Sequence, residues 1–69
     1  KEGIISIKPV NNLVVVKTLK GVSSIISGLI DKMGIKQVLG CVYGDETVMV
    51  ICEDNEQAQL TYERLMESI

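Results

Sequence analysis

Short apolar runs broken by turn residues organise this chain. The first, "GIISIKPV", alternates: Ile5 and Ile7 share one face, while Ser6 and Lys8 share the other. That period of two is the signature of a half-buried strand. Pro9 either ends the strand or marks it as an edge, because proline has no N–H to give to a sheet ladder. "NN" is a turn signal, and "LVVVKT" after it reads as a second, β-branched strand. The two runs predict a hairpin.

The period then changes. After "LKG", apolar residues fall at Val22, Ile25, Ile26, Leu29, Ile30 and Met33. This spacing predicts a helix with one buried face. Lys32 sits in its last turn, and Gly34 fits a C-terminal cap. "QVLGCVY" and "TVMVIC" are two further strands, joined by "GDE" as a second hairpin. Asp54 reads as an N-cap, and Gln57 three residues on completes a capping box. Ala58, Tyr62, Leu65 and Ile69 define the buried face of a second helix.

The predicted order is β-β-α-β-β-α. Two hairpins and two helices suit an α+β two-layer sandwich, with a four-stranded, mainly antiparallel sheet and both helices on one face. The other face of the sheet is left without cover from within the chain. All of residues 1–69 form a single domain on this reading, with no internal linker or low-complexity segment.

Composition sharpens the picture. A chain of 69 residues is short, and its core is marginal. Yet 46% of residues are hydrophobic and only 3% aromatic, so the apolar mass is almost all aliphatic. So much aliphatic side chain over so little polar cover points to self-association. The net charge of −2 offers no basic patch to hold a phosphate backbone. Runs such as "LVVV" and "VMVIC" are far too short to span a bilayer, and no signal-peptide pattern is visible. The chain begins at Lys1 without Met, which suggests a piece of a longer protein. Cys41 and Cys52 lie in apolar strand-like runs and match no zinc spacing. They are expected to be reduced core thiols in a cytoplasmic protein.

Candidate chemistry is sparse. There is no His, no Cys–His pair and no glycine-rich phosphate loop, and the serines at 23, 24 and 27 have no visible base. No enzyme, cofactor or metal site is expected. Two features stand out instead. Ser24, Ser27, Gly28 and Asp31 form a second stripe at helical spacing on the far side of the first helix. Glycine inside a helix costs roughly 1 kcal/mol relative to Ala. The stripe is therefore either a solvated face with a tolerated glycine or a contact surface, with Ser27 and Gly28 at an oligomer interface. The second feature is the pair Asp45–Glu46 between the last two strands. Asp suits a turn backbone, so an exposed hairpin tip is one reading. A cation site is the other, because a guanidinium relieves the repulsion of adjacent carboxylates with two parallel hydrogen bonds.

From "NLVVVKTLKG" through "LIDKMG", "VLGCVYGDETVMVIC" and "RLMESI", the chain resembles the C-terminal domain of bacterial arginine repressors over nearly its whole length. The most specific part is "LG-x-x-x-GD-E-T", close to that family's Leu-Gly-x-x-x-Gly-Asp-Asp-Thr. "KTLKG" resembles the family's Thr-x-Pro-Gly, with Lys20 where proline is common. The resemblance implies a ββαββα sandwich that forms trimers pairing into hexamers, with L-arginine as effector where the trimers meet. Operator DNA would be bound only through a separate N-terminal winged helix-turn-helix domain. Carried over by position, Asp45 would take the arginine guanidinium and Asp31 the α-amino group. Glu46 stands where a second Asp is usual, and Ser24 where some members have a glutamine that contacts the ligand. Cys41 and Tyr43 stand where Thr and Ala are common and would line the pocket. These departures leave open an alternative: an assembly module of the same family with altered or lost arginine sensing. An enzyme on the same two-layer fold, such as a pterin dehydratase, would rely on histidines that this chain lacks.

Overall fold

A computed structural model describes residues 2–69. The elements follow the order β1 (Ile4–Val10), β2 (Leu13–Thr18), α1 (Ser23–Met33), β3 (Val38–Tyr43), β4 (Thr47–Cys52) and α2 (Asn55–Ser68). The strands form one antiparallel sheet in the order β1-β2-β4-β3. The expected α+β two-layer fold is therefore the observed one.

The central strands are the most β-branched. Val14 pairs with Val50 and Val16 with Val48 across the β2–β4 ladder, and all four are fully buried. Branched side chains fill a pleated surface well, and each contributes roughly 1.5–3 kcal/mol by leaving water. Helix α2 lies mainly over β1 and β2, and α1 over β3 and β4. Ile26 and Ile30 of α1, and Ala58 and Leu65 of α2, close the core over these valines.

One end of each helix follows its sequence signal, although the Gln57 side chain does not return a bond to complete the expected capping box. Gly34 takes a left-handed conformation with φ 62° and caps α1. Asp54 caps α2, its carboxylate accepting the Gln57 N–H at 2.9 Å. Asn11, in the β1–β2 turn, also has a positive φ of 54°, which Asn tolerates better than most residues. Pro9 lies inside β1, an edge strand, where its missing N–H leaves no ladder bond unmade.

The structure shifts several expected faces. Register slips between Ile4 and Ser6, and one extra residue in a bulge reverses the alternation before it. Ile4 therefore joins Ile7 against the helices, while Ile5 is 64% exposed and does not share that face. Helix α1 is rotated from the expected setting. Its buried residues are Ser23, Ile26, Ser27 and Ile30, whereas Ile25 and Leu29 are 63% and 55% exposed. Ser27, at 4% exposure, belongs to the core side and not to an outer stripe. The cause is size: small serines let the helix lie close to the sheet, and the larger aliphatics flank that contact line. On α2, Thr61 is buried with its hydroxyl donating to Gln57 O at 2.9 Å. Ile69, just beyond the helix, is 43% exposed rather than buried.

The face of the sheet opposite the helices carries Val10, Leu13, Val15, Val42, Met49 and Ile51, by strand alternation and register. Val10, Val42 and Met49 are exposed. Polar residues gather at one end, where Lys17 Nζ donates to Thr47 Oγ1 at 3.1 Å. No helix among the described residues is long and apolar enough to cross a membrane.

Candidate functional site

The β3–β4 tip is held by its backbone. Gly44 N–H closes the hairpin on Thr47 O at 2.8 Å. The next carbonyls are all used by the segment joining β2 to α1. Glu46 O accepts from Thr18 N–H at 2.8 Å, and Asp45 O accepts from Gly21 N–H at 2.9 Å. Gly44 O accepts from the Ser23 hydroxyl. Gly21 has φ 81°, a left-handed conformation that glycine adopts without steric cost. Three successive carbonyls are thus clamped, while the Asp45 and Glu46 residues themselves are exposed. Two carboxylates stand on a fixed frame with solvent on their open side.

The same clamp sets where α1 begins. Val22 precedes the helix and has no side-chain cap to offer. Ser23 spends its hydroxyl on Gly44 instead. Ser24, in the first turn, is exposed. From Ser23 the helix rises about 12 Å to Asp31 at 1.5 Å per residue. On the sheet beneath, β3 runs the other way from the tip, reaching Cys41 about 10 Å from Gly44. The two paths converge, with Asp31 exposed and close enough for its charge to act on the Cys41 thiol.

Cys41 feels this neighbour. Burial pushes the thiol up, the nearby negative charge of Asp31 adds to it, and Cys52 adds a smaller push. Together they bring its pKa to about 11. Tyr43 shares the helix-side face of β3 with Cys41, since it pairs with Val48, and is 58% exposed. Of the two expected core thiols, Cys52 is buried and Cys41 only half-buried.

Most of the residues singled out in the sequence therefore lie along one seam between α1 and β3. Asp45, Glu46 and Ser24 mark one end, Asp31 and Cys41 the other, and Tyr43 stands on the strand between. Ser27 leaves the group, being turned to the core. Gly28 is exposed, and a Cβ built there meets nothing within 4 Å. The seam is separate from the apolar cavity of about 160 Å³ between the helices, which Ile7, Val16, Ile26, Ile30 and Leu65 line. Ser23 and Gly21 hold the tip that carries Asp45 and Glu46, and no local sequence signal marks them for that role. Their role rests on hydrogen bonds to a segment more than 20 positions away.

Chemically, the seam gathers exposed carboxylates at both ends, and adjacent acids suit a guanidinium in particular.

The class this fold defines is a small two-layer α+β module. Residues 1–67 match the family described as "Arginine repressor, C-terminal domain". The chain is 32% identical over 68 residues to the arginine repressor of Halalkalibacterium halodurans, covering 99% of the chain and 46% of that relative. It is 39% identical over 64 residues to the arginine repressor of Bifidobacterium adolescentis, covering 93% of the chain and 37% of the relative. With the arginine repressor of Alkaliphilus metalliredigens it shares 37% over 59 residues, 86% of the chain and 40% of the relative. The chain belongs to the arginine repressor C-terminal domain family, whose members are regulators and not enzymes. It spans less than half the length of these curated relatives.

Proposed function

We propose that this chain is the oligomerisation and L-arginine-sensing domain of a cytoplasmic transcriptional regulator of arginine metabolism. It assembles as trimers that pair into hexamers, with arginine held between trimers. DNA binding belongs to a separate N-terminal domain, in keeping with the portion of the relatives that lies outside the matched region.

The observation that carries this reading is the clamped tip. Backbone bonds to Thr18, Gly21 and Ser23 fix the positions of Asp45 and Glu46 while leaving both exposed. Fixed, unshielded like charges oppose the approach of a second acidic surface. A guanidinium taken by Asp45 and Glu46 reverses that, and its differential affinity for the assembled state draws the equilibrium toward the hexamer. Asp31 takes the α-amino group, with Ser24, Cys41 and Tyr43 lining the site. The uncovered aliphatic face of the sheet supports assembly, because exposed apolar patches of this kind mark interaction surfaces.

One observation favours the alternative of altered or lost sensing. Tyr43 places a large exposed ring in the seam, between the acids at its two ends. Calorimetric titration with L-arginine decides between them. Saturable binding that Asp45→Asn abolishes supports sensing. Heat-silent titration at millimolar arginine, with an oligomer still present, supports a pure assembly module.

A further inference from the structure

We propose that the apolar cavity between the two helices is a binding site for a small, uncharged, hydrocarbon-like molecule about the size of one benzene ring. The site lies within a single subunit and apart from the α1–β3 seam. It stands whether or not the seam holds arginine.

The cavity follows from composition and helix placement. Helix α2 lies mainly over β1 and β2, and α1 over β3 and β4, so side chains must fill the space between them. The chain has no Phe and no Trp. That space is left to branched aliphatics, and about 160 Å³ stays unfilled. Val16, Ile26, Ile30 and Leu65 form its floor, each no more than 6% exposed. Leu29 and Ile69 also line it and are 55% and 43% exposed, so the cavity reaches the surface beside them and a ligand has a way in.

The lining selects the ligand class. It holds no charged side chain, and its one polar side chain, Ser68, already donates its hydroxyl to Arg64 O at 3.1 Å. Among the described residues, no buried side-chain nitrogen or oxygen lacks a partner. A held water needs about two to four polar partners, so water is a poor occupant. A charged molecule would shed its hydration with nothing to replace it. A hydrocarbon, by contrast, restores the dispersion contacts that the bare walls forfeit and leaves water itself. The size also fits: an engineered aliphatic cavity of about 150 Å³ in another protein takes up benzene or xenon.

Benzene titrated into the 69-residue chain, followed by methyl NMR, tests the site directly. Saturable shifts are expected at the methyls of Val16, Ile26, Ile30 and Leu65, with a dissociation constant on the order of 1 mM, within what six heavy atoms can supply. The methyls of Val15 and Val42, on the opposite face of the sheet, are expected to stay in place. Benzoate adds a charge that the lining cannot pair and is expected to bind at least about tenfold more weakly. Ile7→Phe and Ile30→Phe each put a ring of the protein's own into the space. Either is expected to weaken benzene binding by about tenfold or more, because a filled core has no room for a second ring. The proposal is overturned if the cavity methyls show no saturable shift, if Val15 and Val42 shift as much as they do, or if benzoate binds as tightly as benzene. Parental affinity in both filling variants, with folding confirmed by a cooperative melt, overturns it as well. Should a variant fail to fold, the methyl map and the benzoate comparison on the parent chain decide.

Discussion

The Ser23 hydroxyl donates to the carbonyl of Gly44, tying the first turn of α1 to the tip that carries Asp45 and Glu46. Ser23 is buried and Gly44 exposed, so the bond is made at the edge of the core. The acids owe their position to this bond and to its two backbone companions.

Ser23→Ala removes the tether and keeps the volume. Because Gly44 can recover water, the expected cost is about 1 kcal/mol, near the usual net value of one hydrogen bond. Urea unfolding is expected to show a lower midpoint with an unchanged slope. An unaltered midpoint contradicts the tether.

Gly28→Ala separates the subunit from its assembly. The added methyl meets nothing within the chain, and replacing glycine in a helix interior gains roughly 1 kcal/mol. Urea unfolding of dilute protein is therefore expected to show a more stable subunit. If a neighbouring copy packs closely on this face of α1, sedimentation shows weaker assembly in the same variant. Stronger subunit and unchanged assembly place the contact elsewhere.

Met49→Lys tests the uncovered sheet face. Met49 is exposed and points away from the helices, so the isolated subunit is expected to change by no more than about 0.5 kcal/mol. A charge placed among Val15, Val42 and Ile51 should nevertheless weaken association at least tenfold, read by sedimentation equilibrium. An intact oligomer removes this face from the interface.

The Cys41 thiol gives a pH dependence with a definite sign. Its pKa in the fold is raised from 9.0 to about 11, so between those values the folded chain holds more proton than the unfolded one. Stability then falls as pH rises through that window, and this contribution is fully present below pH 9. Thermal melts from pH 8 to 11 are expected to drop more steeply in the parent than in Cys41→Ala. Parallel curves contradict the shift.

The fold was legible because its signals are local. Alternating valines in β2 and β4, the caps at Gly34 and Asp54, and the turns at 11–12 and 44–46 all act over a few residues. The errors have physical causes. A bulge after Ile4 moved Ile5 out of the core, and nothing in "GIISIKPV" marks it. Val22 to Met33 present an apolar arc wider than one sheet can cover, so Ile25 and Leu29 stay outside while Ser27 turns in. The acids of the site were visible as Asp31, Asp45 and Glu46. The clamp that fixes two of them was not, because it joins Thr18, Gly21 and Ser23 to carbonyls distant in sequence.

The central claim is that clamped acids keep subunit layers apart until a guanidinium joins them. Sedimentation velocity of the 69-residue chain, with and without millimolar L-arginine, tests it most directly. The account predicts a trimer that becomes a hexamer on adding arginine, and an Asp45→Asn variant whose mass ignores the ligand. A monomer under both conditions, or an Asp45→Asn variant that responds as the parent does, contradicts it.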